Sequence, residues 1–472
     1  MKGNMKRHAI IIVSLILCAL SMHAEDSIKV SAADLQALTR RIERLEQKAE
    51  RDSLSQKVVT RRGKFTIGGY GEVTAKYCFY SNNYLRYVND PSRFANDRYG
   101  EFDLPHVVLN LGYDFGKGWS TSMEIEFEHG GTESAVEIEE EEGGEYEGEI
   151  ERGGEVALEQ FWLQKKFNQY AIIRAGMQVI PVGALNAHHE STEYFGVYRN
   201  EGEFTILPST WHEVALTFMG STPNGWHYQA MFLPGLDSDR FGKRNWIKTG
   251  AGSPYEFKIA NVFAGAARID YTGVKGLRLS LSGYCGNSFR NTLSKTNSEL
   301  DASKYKDVRG TVSIGSFDFA YKGYGLILRG SATYGHLSDA ALISQYNKSM
   351  RRGSVSKKED VASDAIAAGL EVGYDFFSLS QKLTAKSQQL YLFGRYDYYD
   401  SMFRPANTYT YCGRHRAAVG INYFPIKQIG VKAEFSYGIL KQGTRADGTI
   451  GKIYNDEPQI AVGIVYAGFY QL

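Results

Sequence analysis

The chain has 472 residues, with 54 Lys and Arg against 53 Asp and Glu and a formal net charge of +1. That balance excludes the basic field of a nucleic-acid binder, and no nucleic-acid partner is expected. Mean hydropathy is −0.34. Beyond the first residues no apolar run is long enough to cross a bilayer as a helix, which excludes a helical membrane protein.

In chain order, the first element is an export signal. Lys2, Lys6 and Arg7 precede the apolar run 9–20, which is too short to span a membrane, and residues 1–24 read as a signal peptide cleaved after Ala24, with Ala19-Leu20-Ser21 as the alternative site. Leu17 before Cys18 is too large for a good lipoprotein site. The other cysteines, Cys78, Cys285 and Cys412, stand far apart and form neither a metal spacing nor a disulfide framework.

Residues 28–54 carry a heptad pattern. Ile28, Leu35, Ile42 and Ala49 share one seam position, and Leu38 and Leu45 share the other. In a parallel trimer the spacing of Arg41, Ile42, Leu45 and Glu46 lets Arg41 of one chain reach Glu46 of the next. A single solvated helix held by local charge pairs is the alternative. Residues 55–63 form a polar linker.

Residues 64–472 read as all-β, a transmembrane antiparallel barrel of about sixteen strands preceded by the coiled-coil helix. Stretches such as 120–128 (STSMEIEFE), 277–284 (LRLSLSGY) and 431–437 (VKAEFSY) alternate large apolar residues with small or charged ones. The expected strands are 65–81, 103–116, 118–129, 154–168, 170–179, 211–220, 225–233, 262–273, 275–286, 308–322, 324–336, 364–377, 388–400, 413–424, 429–440 and 458–470. Their connections alternate between tight turns and long loops, as two unlike rims require, and 377–388 is intermediate. An even count brings both barrel ends to the periplasmic side.

A charge on the lipid face near the midplane costs about 2–4 kcal/mol, so charged residues in these strands are expected to face the lumen. The pore-lining candidates are Glu124, Glu126, Arg268, Asp270, Arg278, Arg329, Arg414, Arg416, Lys432 and Glu434. Both signs are present, so weak ion selectivity is expected.

The stretches 65–72 (FTIGGYGE), 154–160 (GEVALEQ), 174–183 (RAGMQVIPVG), 189–198 (HESTEYFGVY) and 206–213 (ILPSTWHE) resemble the phosphate-selective porin O and P family. The resemblance covers roughly 64–472 and rests mostly on its first half. It implies a sixteen-stranded, homotrimeric outer-membrane porin, with lipid and lipopolysaccharide around it and small hydrophilic solutes or ions, including anions such as phosphate, passing through. The terminal strand 460–472 resembles the C-terminal signal of outer-membrane barrels, with Leu472 in place of the usual aromatic.

The third long connection, 181–208, is where porins of this kind fold a loop into the lumen. Its His188, His189, Glu190, Glu193, Tyr194, Tyr198 and Arg199 would then set pore width and field. The histidines lack helical His-x-x-x-His spacing and no further ligand is evident, so no metal is expected. The second long connection holds residues 133–151 (ESAVEIEEEEGGEYEGEIE), with ten glutamates and no basic residue. It is expected to be a solvated, flexible segment, or a weak binder of divalent cations.

Ser209 near His212 does not make a triad, and no nucleotide or prosthetic-group motif is present, so neither an enzyme nor a cofactor is expected. A structural outer-membrane anchor with a periplasmic coil is the alternative to a channel.

Overall fold

The computed structural model describes residues 64–83, 96–140, 146–208, 210–253, 257–292, 304–350, 356–408, 410–440, 443–444, 450–451 and 456–471. The expected signal, the coil with Arg41, Ile42, Leu45 and Glu46, and the linker lie outside the described residues.

The strands are β1 (Phe65–Cys78), β2 in two pieces (Tyr99–Asp103 and His106–Gly116), β3 (Trp119–Glu140), β4 (Tyr146–Lys166), β5 (Ile172–Val179), β6 (His212–Ser221), β7 (Trp226–Pro234) and β8 (Phe263–Tyr271). They continue with β9 (Leu277–Gly286), β10 (Val312–Gly323), β11 (Leu326–Leu337), β12 (Ala362–Asp375), β13 (Gln389–Pro405), β14 (Arg414–Ile426), β15 (Ile429–Ile439) and β16 (Glu457–Gln471). The sheet has 17 strand segments, but both pieces of β2 pair with β1, so they are one barrel strand and the count is sixteen. The break falls at Leu104-Pro105, where proline has no N–H to give the ladder. Each strand is antiparallel to the next, and β16 closes on β1 from Thr66↔Gln471 to Cys78↔Gln459. Closure leaves no unpaired edge along the wall.

Side-chain alternation explains why these segments are strands of a barrel and not of a sandwich. On β15, Val431, Ala433 and Phe435 face out, whereas Lys432, Glu434 and Ser436 are buried inside. On β9, Leu279 and Leu281 face out, with Ser280 and Ser282 inside. The same rule exposes Phe127, Leu216, Phe218, Phe232, Ile269, Phe317, Leu370, Leu392, Val419 and Ile464 around the circumference. Phe65, Tyr113, Phe115, Trp119, Phe167, Trp226 and Tyr324 are exposed at or beside the tight-turn ends. An apolar band this extensive is far larger than a water-facing surface tolerates.

The turn joining β2 to β3 uses Gly116 and Gly118 at φ 80° and 79°, where other residues are strained. The intermediate connection after β12 holds a 3₁₀ turn (Phe376–Leu379) and a short helix (Gln381–Ala385), with the Asp375 carboxylate accepting from the N–H groups of Phe377 and Leu390 at 3.0 and 2.9 Å.

The connection expected at 130–153 is corrected. β3 and β4 run on beyond the register shift at Glu128/Glu133 as a paired ribbon, from Glu133↔Gly153 to Glu140↔Tyr146. The physical reason lies in Val136, Ile138 and Ile150, which favour extended chain and recur at alternate positions despite the glutamates between them.

Candidate pore constriction

The connection between β5 and β6, residues 180–211, leaves the wall and enters the barrel. Asn186 joins its two ends: its amide nitrogen donates to the Ile180 and Trp211 carbonyls, and its Oδ1 accepts from the Trp211 N–H at 2.5 Å. Ile180, Val182, Ile206, Leu207 and Trp211 are buried in the main apolar cluster together with Phe241 and Trp246 of the next long connection. The loop contains two short helices, α1 (Ala184–Ala187) and α2 (Glu201–Ile206). Gly183, just before α1, has φ 87°, and a Cβ there would strike the Glu203 carboxylate. Its N–H donates to Ser282 Oγ at 3.1 Å and its carbonyl accepts from Arg268 at 3.0 Å.

The tip of the loop is fastened to the wall formed by β1 and β12–β15. Lys432 is completely buried and donates to three loop carbonyls, Ser191, Tyr194 and Gly196, at 2.6, 2.7 and 2.9 Å. Those three bonds use every N–H of the ammonium. The Phe195 N–H donates to Glu371 at 3.3 Å, the Val197 N–H to Glu434 at 3.2 Å, and Asn422 donates to the Phe195 carbonyl at 2.9 Å. Arg395 donates to the Tyr198 carbonyl and to Asn200 at 3.2 and 3.0 Å and pairs with Glu434 at 3.3 Å. The Phe195 ring stacks on Phe393, centroids 5.4 Å apart, and the Arg329 guanidinium lies 4.9 Å from its centre.

Every one of the ten wall charges named from the sequence sits on a barrel strand, and the structure assigns them different neighbours. Arg268 pairs with Asp270 and Asp318 at 2.9 Å each, and Arg278 reaches Asp318 at 3.1 Å. Arg329 pairs with Glu371. Arg416 joins Glu201 of α2 and Glu457 at 2.8 and 2.7 Å, and Arg414 reaches Glu457 at 3.3 Å. Glu124 accepts from Gln160, and Glu126 lies 3.9 Å from His106. Lys432 and Glu434 are 0% and 3% exposed and hold the loop, and Glu124, Glu126, Arg268 and Arg416 are also buried, so of the ten only Asp270, Arg278, Arg329 and Arg414 are partly open to the lumen.

Within the loop, His188 contacts Glu193 at 3.2 Å, the Tyr194 hydroxyl donates to Glu72 at 3.1 Å, and the Tyr198 hydroxyl donates to Thr74 at 3.1 Å. Arg199 donates to the His189 carbonyl at 3.3 Å and to Thr210 at 2.9 Å. Burial drives the His189 imidazole down to about 4. Burial and then the neighbouring Glu193 charge push Glu190 up to about 7. Glu203 also rises to about 7 because it is buried.

Residues 200–205 separate two cavities. One, of about 350 Å³, is lined by His188, Glu193, Arg278, Lys322, Arg329 and Glu371 as well as Asn200 and Glu203. The other, of about 430 Å³, is lined by Lys243, Arg244, Lys248, Arg414 and Tyr411 together with Glu201 and Phe204. Four basic residues and one acidic residue line the second cavity, with Glu457 and Glu359 behind Arg414 and Lys243.

Glu72, Asp318, Glu371, Arg395 and Asn422 were not singled out in the sequence. Alternation offered a signal for Glu371, which stands between the outward Leu370 and Val372, and for Arg395, beside the outward Tyr396. Nothing in the sequence marked Glu72 or Asn422 as partners of a loop more than a hundred residues away.

No family model matches the chain. A stretch of 174 residues is 32% identical to an uncharacterized protein of Aquifex aeolicus, covering 37% of this chain and 33% of that one. The chain thus spans about a third of the length of the curated relative it matches. Among solved structures, OmpF of Salmonella typhi is similar over 85% of this chain and 97% of its own, at TM-score 0.49 and 11% identity. The outer membrane channel DcaP of Acinetobacter baumannii is similar over 86% and 97%, at TM-score 0.47 and 11% identity. OmpT, an outer membrane protein of Vibrio cholerae in trimer form, is similar over 86% and 99%, at TM-score 0.46 and 11% identity.

Proposed function

We propose that the protein is an outer-membrane porin, a passive channel for small hydrophilic solutes or ions. The observation that carries this reading is a loop fixed inside a closed, apolar-belted barrel, with a cavity holding several charged residues on each side of α2. A wall with an apolar outside and a charged inside suits a bilayer spanned by strands, and an inserted loop suits control of pore width. The tight-turn rim is the periplasmic one, and the signal at 1–24 delivers the chain there.

Selectivity is set by the residues that line the two cavities. Lys243, Arg244, Lys248 and Arg414 around the cavity of about 430 Å³ favour anions at the long-loop mouth. The other cavity mixes Arg278, Lys322 and Arg329 with Glu193, Glu203 and Glu371, which weakens that preference. A weak anion preference, phosphate included, is the reading these linings support. The assembly is a homotrimer clustered by the heptads at 28–54 and surrounded by lipid and lipopolysaccharide. Reversal potential in a salt gradient tests the reading: Lys243→Gln with Lys248→Gln moves it toward cations, and an unmoved value excludes this cavity from the conducting path.

A further inference from the structure

A second cluster of ionisable groups lies where the loop meets β3 and β4. Glu124 on β3, Glu159 on β4 and His189 on the loop each bring a ligand atom within 4.8 Å of the others. Glu124 and Glu159 are 5% and 0% exposed. Their convergence comes from a bulge: Glu124 pairs with Gln160 but Ile125 pairs with Leu158, so Glu159 is the extra residue. A bulge re-aims one side chain, and here it turns a carboxylate inward beside one that already faces inward.

Among the described residues no donor group reaches either carboxylate oxygen of Glu159 or Oε1 of Glu126, and the two carboxyls lie against each other. The charges nearby do not balance. His106 is taken up by Glu72 at 2.6 Å and stands 3.9 Å from Glu126, beyond hydrogen-bond reach. Arg199 acts on the cluster from a distance, with Nε and Nη1 donating to the His189 carbonyl and to Thr210. Arg199 therefore offsets Glu126 and Glu159 from one side, and Glu124 is met by the neutral Gln160 amide. A buried carboxylate that stays charged is paired or bound to metal; otherwise it takes up a proton.

We propose that Glu124, Glu159 and His189 form a binding site for one divalent transition-metal cation. One imidazole nitrogen with carboxylate oxygens suits Zn²⁺ or Mn²⁺, whereas Ca²⁺ and Mg²⁺ take all-oxygen sets. The His189 Nδ1 lies 3.1 Å from the Asn186 carbonyl, which fixes the ring and leaves Nε2 for the ion, as is usual for metal-bound histidine. The ion would tie the loop to β3 and β4, away from the Lys432 attachment on β15. The site requires only the folded barrel and does not depend on whether the barrel conducts.

The test uses the full chain in detergent micelles, stripped of metal by chelator, with Zn²⁺ added during calorimetry and thermal unfolding. One saturable Zn²⁺ per chain and a raised unfolding midpoint are expected. Glu159→Gln and His189→Asn should each weaken binding by about tenfold or more. Glu159→Gln should also raise the midpoint without metal, because it removes a buried charge. It retains the acidic ribbon at 133–151, so undiminished binding in both variants overturns the proposal by locating the ion elsewhere. Absence of saturable binding by the unaltered protein also overturns it. A more stable Glu159→Gln beside a Zn²⁺-silent parent would identify a proton shared by Glu126 and Glu159 in place of a metal. If His189→Asn does not fold, Glu159→Gln alone decides.

Discussion

Lys432 shows how one side chain can hold a long loop in place inside a barrel. Its ammonium converges on three loop carbonyls, those of Ser191, Tyr194 and Gly196. Lys432→Met keeps the apolar stem but leaves those carbonyls without a donor, at a cost of about 3 kcal/mol or more. The unfolding midpoint should fall, and single-channel recordings should show a noisier current. Lys432→Arg should not rescue it, because a planar fork does not point at three convergent oxygens; full rescue would contradict the geometry. Glu203 supplies a pH dependence of known sign. Its carboxyl titrates near 7 in the folded protein against an ordinary 4.5, so the loop carries no penalty below about 4.5, loses stability as pH rises, and carries the full penalty above 7. The difference is about 3 kcal/mol at most. Hydrogen exchange in residues 184–206 should be faster at pH 8 than at pH 5 beyond its intrinsic rate change. Glu203→Gln should remove that excess, and equal protection of the unaltered loop at both pH values would contradict the assignment.

At the scale of elements, the inserted loop depends on small residues where it meets the wall. A Cβ on Gly196 would strike the Arg395 guanidinium and lie 2.9 Å from the Glu434 carboxylate, the two groups that hold Tyr198 and Val197. Gly196→Val should therefore lift the loop tip, with larger conductance and greater protease sensitivity at 190–200; an unchanged conductance would mean that the tip does not narrow the path. The barrel itself was legible because alternation is an energetic requirement in lipid. The strand expected at 275–286 forms over Leu277–Gly286, and that expected at 429–440 over Ile429–Ile439. The ribbon of β3 and β4 was not legible, since ten glutamates mask the β-branched residues between them. Glu159 was hidden for another reason: a bulge shifts the phase of alternation, and one sequence does not reveal where the extra residue falls. The inward aim of Lys432 was legible, but its partners were not. They come from carbonyls 236 to 241 residues earlier, and a carbonyl carries no residue-type signal.

For the whole molecule, the closed barrel and the heptads at 28–54 imply different contributions to assembly. If the heptads cluster the chains, removing 28–54 should leave folded barrels that no longer crosslink as three; trimers that persist would place the contact on the barrel wall. The barrel's purpose is tested by conductance across a planar lipid bilayer in a salt gradient. The purified protein, shown to be folded by its resistance to detergent unfolding before heating, should open discrete ohmic steps. Its reversal potential should indicate a weak preference for anions. Folded protein that inserts but passes no current would contradict the channel reading and leave the barrel as an anchor.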